Sequence, residues 1–307
     1  MSDAPRVIAV VVTYNRLSLL LESLAALAKQ ARRPDGIVVI DNASTDGSAE
    51  AVASTHPDVR VVRLASNTGG AGGFAAGLGC ALDDGADLVW LMDDDTVPNP
   101  GALDELLAAR DRYPGPRPAV VASRVVWTDG REHPMNTPRR KPFVRRVELS
   151  RADEAGCVPI RSASFVSVLI DADRARSLGL PIADYFLWND DFEYTTRLLR
   201  RAPGLLCPAS TVVHKTQAFG GADADPGERF FYEVRNKVWT LSRSRSLSPV
   251  ERLLYAAATL RRWARTFVGS SDRRTLSRGL RRGLAAGLRK GPRPNDEVLA
   301  DAGLPTG

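Results

Sequence analysis

Leu88-Val89-Trp90-Leu91-Met92 runs directly into Asp93-Asp94-Asp95. An unbroken apolar run of this length is the pattern of a strand covered on both faces. Three adjacent carboxylates at its end repel one another, which is costly unless a cation neutralises them. Oxygen ligands suit Mg²⁺ or Mn²⁺, ions that keep positions open for substrate phosphates. Successive side chains point in different directions, so Asp93 and Asp95 are the better pair for one ion, and Asp94 is left to meet a sugar or ribose. The plainer alternative is a solvated acidic turn capping the helix that starts near Pro100.

Upstream, apolar runs ending in polar clusters recur. Val7-Ile8-Ala9-Val10-Val11-Val12-Thr13 is rich in β-branched residues and leads into Tyr14-Asn15-Arg16. Leu17, Leu20, Leu21, Leu24, Leu27 and Ala28 follow at helical spacing. Pro34-Asp35-Gly36 turns the chain into Ile37-Val38-Val39-Ile40, which ends in Asp41-Asn42-Ala43-Ser44-Thr45-Asp46-Gly47. A further run, Val59 to Leu64, leads to Asn67-Thr68-Gly69-Gly70-Ala71-Gly72-Gly73-Phe74. Strands alternating with helices predict an α/β fold with a mostly parallel sheet built from right-handed crossovers. Functional loops of such sheets lie at the carboxyl ends of the strands, where all four polar clusters fall.

Each cluster has a chemistry and a plainer alternative. A carboxylate placed like Asp41 can accept from a base N–H or a ribose hydroxyl, whereas Ser44 or Thr45 suits a helix N-cap. The glycines let a backbone approach a ligand closely, at a helix start that favours anions. They contain G-x-G-x-x-A, but after the third strand rather than the first, which weakens a dinucleotide reading. Trp188-Asn189-Asp190-Asp191-Phe192-Glu193 offers a carboxylate base for a hydroxyl nucleophile, or simply the acidic first turn of a helix. His214 follows the strand-like Thr211-Val212-Val213, and an imidazole there can complete a metal shell. Arg235 sits among Phe230, Phe231, Tyr232 and Trp239; its forked donors suit a diphosphate, unless the helix only packs its aromatics inward.

The 307 residues are 44% hydrophobic and 25% charged, enough for a buried core and against wholesale disorder. No apolar run approaches the ~18–20 residues of a membrane span. The N-terminal apolar stretch is too short and polar for a signal peptide, so a cytoplasmic location is expected. Cys80, Cys157 and Cys207 show no metal spacing and no disulfide framework. Residues 127–150 contain Pro134, Pro138, Pro142 and six basic residues, and are expected to form a mobile loop. The net charge is +6, yet residues 251–290 carry eleven Arg and Lys against Glu251 and Asp272, a local +9. That segment has two helical stripes, Leu253-Ala257-Leu260-Ala264-Phe267 and Leu276-Leu280-Leu284-Leu288. Leucines facing arginines suit an anionic bilayer surface, or packing on the domain or a second subunit. No nucleic-acid reader module is recognisable.

In their order, Val11–Arg16, Val39–Asp46, Asn67–Phe74 and Trp90–Asp95 resemble the inverting family-2 glycosyltransferases of the GT-A fold. Residues 6–240 carry the resemblance, which is most similar to the bacterial galactofuranosyl- and rhamnosyltransferase branch. It implies a catalytic domain over 1–245, with 1–126 the nucleotide-binding half and 127–245 the acceptor and base half. A basic amphipathic helical extension and loose tail would occupy 246–307. Thr13, Tyr14, Arg16 and Asp41, with Asn42 beside it, would hold the uridine of a UDP-sugar, or the thymidine if the donor is a dTDP-sugar. Asn67 and the glycines, Gly70, Gly72 and Gly73 among them, would line the donor cleft, with Asp94 on the donor and Arg235 on its diphosphate. Asp93, Asp95 and His214 would bind Mn²⁺ or Mg²⁺. Asp191 would be the base; because this chain has Asp190-Asp191-Phe192-Glu193, Asp190 is its alternative. The implied reaction is one in-line displacement onto a hydroxyl of a glycan or a polyprenyl-diphosphate-linked glycan at the inner face of the cell membrane, by a possible homo-oligomer. The rival classes are an inactive nucleotide-sugar-binding protein, a nucleotidyltransferase and a Rossmann oxidoreductase. Intact carboxylates in both acidic clusters argue against the first, and the N-terminal motif argues against the second.

Overall fold

The computed structural model describes residues 4–216, 219 and 225–304. Its first half alternates β1 (Val7–Thr13), α1 (Leu17–Ala28), β2 (Gly36–Asp41), α2 (Ser48–Thr55), β3 (Arg60–Arg63), α3 (Gly69–Asp83) and β4 (Leu88–Asp93). Every residue of β1 is buried. Val7, Ala9 and Val11 enter one core with Leu20 and Leu24 of α1, while Ile8, Val10 and Val12 enter another with Phe74 and Leu78 of α3. This two-residue period, covered on both sides, explains the unbroken apolar run. Packing is tight: a Cβ on Gly73 would lie 2.5 Å from Val12 Cγ1.

The chain continues through β5 (Thr96–Pro98), α4 (Ala102–Arg112), β6 (Val120–Val126), β7 (Arg139–Arg140), α5 (Arg146–Glu154), β8 (Val158–Ser162), β9 (Val168–Asp171), α6 (Ala172–Leu178), α7 (Asp190–Leu198) and β10 (Gly204–His214). The strand order is β3-β2-β1-β4-β9-β6-β10-β8-β7, with β5 paired to β10. The first four strands are parallel, as expected. From β9 onward the directions are mixed: β9 runs antiparallel to both β4 and β6, while β6 and β10 are parallel. A register shift between Cys207 and Thr211 lets the end of β10 pair with β5, which sets His214 opposite Thr96.

Two expectations of irregular chain are corrected. The 127–150 stretch contains β7 and most of α5, and Lys141 Nζ donates to Glu148 at 2.6 Å. Beyond Gly291 lies α11 (Asn295–Asp301), which buries Val298 against Ala75 and Ala183. Asn295 ties it down, accepting from Ala183 N and donating to Pro181 O.

The remaining helices are α8 (Phe230–Ser242), α9 (Pro249–Gly269) and α10 (Arg273–Arg289). A capping box between Ser248 and Glu251, with Pro249 in the first turn, starts α9. The two stripes have opposite fates. Leu276, Leu280 and Leu284 of α10 pack on Phe230 and Val234 of α8. Close approach needs glycine, since a Cβ on Gly283 would come within 2.7 Å of Val234 Cβ. On α9, Leu253, Ala257, Leu260 and Ala264 are exposed. No helix among the described residues is long and apolar enough to cross a membrane.

Candidate active site

Parallel pairing brings three strand ends to one edge. Thr13 is in register with Asp41, and Val12 with Asp93. Asp94 lies at the centre of the N-terminal motif. Its Oδ2 accepts from Thr13 Oγ1 at 2.8 Å and from Tyr14 N at 3.3 Å, and Arg16 Nη1 donates to Oδ1 at 3.2 Å. Burial nevertheless pushes its carboxyl up to about 6, with Arg16 opposing. Arg16 also reaches Asp95 Oδ2 at 2.8 Å. Thr13 and Arg16 thus order the acidic triplet itself, while the Tyr14 side chain is 46% exposed at the same edge.

Asp93, Asp95 and His214 meet although His214 is far along the chain. One ligand atom from each lies within 4.8 Å of the others. His214 Nε2 is 2.9 Å from Asp95 Oδ1, a buried oxygen that has no aligned hydrogen-bond donor among the described residues. On the far side of the ring, Nδ1 faces Asn136 Oδ1 at 2.9 Å. An amide carbonyl can only accept, so Nδ1 carries a proton; against burial, Asp95 and Asp93 raise the imidazole above its ordinary value, and a cation bound between them would take the place of the Nε2 proton. This donor set of two carboxylates and one imidazole, its ring held from behind by Asn136, fits a divalent cation. Burial, then the neighbouring Asp95, pushes Asp93 up to about 7. Burial would raise Asp95 as well, but His214 and Arg16 hold it below its ordinary value. Asn136 was not singled out from the sequence; it lies in the proline-rich stretch, where no periodicity marks it.

Asp41 is fully buried, and its Oδ1 accepts from Ser44 N at 2.9 Å. Its Oδ2 has no hydrogen-bond partner among the described residues, with Arg63 Nε 3.7 Å away. An acceptor left over at this edge is available to a ligand donor. Other expectations change. Asn42 donates to Gly69 O and accepts from Thr68 N, both at 2.8 Å, so its amide holds the glycine turn. Gly72 and Gly73 serve packing, against Thr68 and Val12; Gly70 alone of the expected trio faces open space. Asn67 is exposed, and its Oδ1 accepts from Gly69 N at 2.8 Å. Neither Ser44 nor Thr45 caps α2: Ser44 Oγ accepts from Asn15 N, and Asp46 accepts from both Leu17 N and Ser48 N. Arg235, expected on a diphosphate, instead donates to the carbonyls of Asp184 and Tyr185 and stacks 4.3 Å over Trp239.

The second acidic cluster begins α7 after a left-handed stretch. Phe186, Trp188 and Asn189 have φ of 63°, 64° and 66°. Such conformations cost free energy and persist when their surroundings hold them. Asn236 does so, its Nδ2 donating to the carbonyls of Tyr185, Leu187 and Trp188 at 2.8–2.9 Å. Glu193 is structural: it binds Arg197 and accepts from Ser244 Oγ. The adjacent aspartates face different neighbours. Asp190 is raised well above its ordinary value by burial, with Asp191 and then Asp93 adding to the effect. Asp191 is raised by burial, with Lys237 and Arg139 opposing. Asp191 lines a cavity of about 270 Å³ together with Asn136, Trp188, Arg262 and Trp263.

Polar groups gathered at parallel strand ends, three side chains that could hold a cation beside them and a cavity lined by Asp191 are compatible with glycosyl transfer. The chain belongs to glycosyl transferase family 2, whose pattern matches residues 8–169. It is 34% identical over 254 residues to the galactofuranosyltransferase GlfT1 of Mycobacterium tuberculosis, covering 77% of this chain and 82% of that protein. It is 31% identical over 154 residues to an N-acetylglucosaminyl-diphospho-decaprenol L-rhamnosyltransferase of the same species, covering 48% of each. The mannosyltransferase PcManGT of Pyrobaculum calidifontis, solved with GDP-Man and Mn²⁺, superposes with a TM-score of 0.54 at 21% identity over 97% of this chain and 79% of its own. The fold is therefore of the GT-A type, with a helical C-terminal part.

Proposed function

We propose that the protein moves galactofuranose from UDP-galactofuranose to a hydroxyl of a lipid-linked glycan, with inversion, in cell-envelope polysaccharide synthesis. The observation that carries the reaction is the divided environment of the aspartate pair. Asp190 feels the charge of Asp93, whereas Asp191 lines the neighbouring cavity. Asp93, Asp95 and His214 would hold the Mn²⁺ or Mg²⁺. A divalent ion there offsets negative charge growing on the leaving diphosphate. Asp41 Oδ2 accepts from the uridine, and the exposed Tyr14 ring covers it. Asp191 takes the proton from the acceptor hydroxyl, whose oxygen attacks the anomeric carbon opposite the leaving group. A base raised by burial is well matched to this work. The Trp188 and Trp263 rings give sugar faces an apolar surface in the same cavity.

Galactofuranose is favoured because the likeness to GlfT1 extends through most of both chains, while that to the rhamnosyltransferase stops near half. A nucleotide-sugar panel with Mn²⁺ or Mg²⁺, read as nucleoside diphosphate release with lipid-linked glycan acceptors, tests this. Turnover of dTDP-rhamnose without UDP-galactofuranose would transfer the assignment to rhamnose. No release from any donor would remove the enzymatic reading.

The extension over 246–307 is proposed to bring the enzyme to an anionic bilayer through α9, not α10. Val250, Leu253, Leu260 and Val268 are each more than 60% exposed along α9, with exposed Arg261 and Arg265 beside them. Co-sedimentation with phosphatidylglycerol vesicles should fall at least about threefold in a Leu253→Asp, Leu260→Asp variant, since each leucine buried in the interface is worth about 1 kcal/mol or more. Equal recovery of the two proteins would dismiss the surface.

A further inference from the structure

A second cavity, of about 220 Å³, lies between α9, the start of α7 and the middle of α8. Five cationic side chains line it: Arg139, Lys237, Arg261, Arg262 and Arg265. No carboxylate belongs to the lining. The nearest acids are accounted for. Glu233 is bound by Arg262, Asn189 and Trp263, and Asp191 faces the cavity described above. Arg139, Arg261 and Arg265 have no carboxylate partner among the described residues. Lys237 is 5% exposed and no hydrogen-bond acceptor among the described residues reaches its ammonium, which rests 4.6 Å from the Phe192 ring centroid. Burial pushes it down to about 8, with the neighbouring arginines adding to that and Glu233 opposing.

Like charges gathered around a void, one of them buried without an acceptor, make a site complementary to a compact polyanion. The site is also placed to serve the reaction. It shares Arg139, Phe192 and Arg262 with the cavity that contains Asp191. At 3.6 residues per turn, Arg261 and Arg265 lie between the outward Leu253–Leu260 row of α9 and its inward Tyr255 and Arg262. A ligand held there has an apolar helix face on one side and the base on the other.

We propose that this cavity is a diphosphate-binding subsite, which holds the phosphate end of the acceptor while a hydroxyl further along reaches Asp191. The placement of the hydroxyl rests on Asp191 being the base; the anion site does not. The ligand chemistry is a diphosphate, either the headgroup of a prenyl lipid or a free diphosphate.

The test is calorimetric titration of the full chain, saturated with UDP in metal-free buffer so that the donor edge is filled. The probes are inorganic pyrophosphate, farnesyl diphosphate and farnesol. Both diphosphates should bind saturably, and Arg265→Ala on the exposed helix and Lys237→Met should each weaken them by about tenfold, the worth of one charge-assisted contact. Arg281→Ala on α10 serves as the charge-matched control and should bind as the parent does. Farnesyl diphosphate binding at least about tenfold tighter than pyrophosphate identifies the lipid headgroup as the source, through burial of its chain. Equal affinities identify free diphosphate. No saturable binding of either diphosphate, binding indifferent to both substitutions, or farnesol binding as well as its diphosphate would each overturn the proposal. Loss of UDP binding alone would instead count against the glycosyltransferase donor site and leave this one standing.

Discussion

The two acidic clusters relieve the same crowding in different ways. Asp93-Asp94-Asp95 leaves the end of a strand, where the end of β10 brings in a histidine and a loop brings in an arginine. Asp94 is satisfied by Thr13, Tyr14 and Arg16, and Asp95 by Arg16 beside His214. Asp93 has no hydrogen-bond donor among the described residues and is left with Asp95 and His214 around one point. Asp190-Asp191 begins a helix, and rotation along that helix turns the two carboxylates toward different neighbours. The charge of Asp93 adds to what raises Asp190, whereas the charges of Lys237 and Arg139 oppose what raises Asp191. Strand ends concentrate ligands on one centre, whereas a helix start can divide two acids between two centres.

The sharpest way to break this comparison is to exchange the effects of the pair. Asp191→Asn should lower glycosyl transfer by about 10³-fold, the usual scale of a lost general base, with UDP binding kept. Asp190→Asn should cost only about tenfold, because burial already disfavours the charged form of this carboxyl and an amide keeps its shape. Steady-state kinetics on both variants decide. The larger loss falling on Asp190 would reverse the assignment.

Much of this edge was legible in the sequence, for a reason visible in β1 and β4. A strand covered on both faces must be apolar throughout, so its end is marked by the first polar residue, and parallel pairing then gathers those ends. Thr13, Asp41 and Asp93 were readable on that ground alone. Residues recruited by tertiary geometry were not. Asn136 and Asn236 act through side-chain amides aimed at a ring nitrogen and at three carbonyls, and nothing in their local spacing records those partners. The glycines and Arg235 misled in the opposite direction. A run that permits close approach to a ligand is the same run that lets α3 lie on Val10 and Val12. Likewise α9 and α10 both set leucines among arginines, and the glycines at 279, 283 and 287 mark the face of α10 that is pressed against α8.

Lys237 sharpens the contrast at the second cluster. Its folded pKa is about 8 against an ordinary 10.5. The unfolded chain therefore binds the proton more tightly, and native stability rises with pH between those values. Below about pH 8 the full penalty applies, of about 3 kcal/mol. Lys237→Met should raise the stability by about that amount at pH 7, with the gain vanishing above pH ~10.5. Urea unfolding at pH 7 and pH 9.5 measures it. A variant less stable than the parent at pH 7 would mean that Lys237 is held by favourable contacts and is not a cation waiting for an anion.

The smallest effect probes the first cluster from behind. Asn136 lines the Asp191 cavity, but among the described residues it has no hydrogen bond to a carboxylate of the triplet; its link to the metal cluster is the 2.9 Å contact with His214 Nδ1. If that contact sets the tautomer, Asn136→Ala frees the ring to turn and to carry its proton on Nε2. Mn²⁺ affinity, measured by titration of the paramagnetic ion without any sugar nucleotide, should then fall by about tenfold, the lower end for a second-shell partner of a metal-bound histidine. Asn136→Asp should keep the affinity or raise it, because a carboxylate accepts the same proton more strongly. Asn136 also donates to Ser164 Oγ at 3.2 Å, so a merely structural role would lower the melting temperature of both variants alike. Opposite movement of the two affinities at similar melting temperatures is what a tautomer-setting residue requires; equal losses in both would make Asn136 only part of the wall.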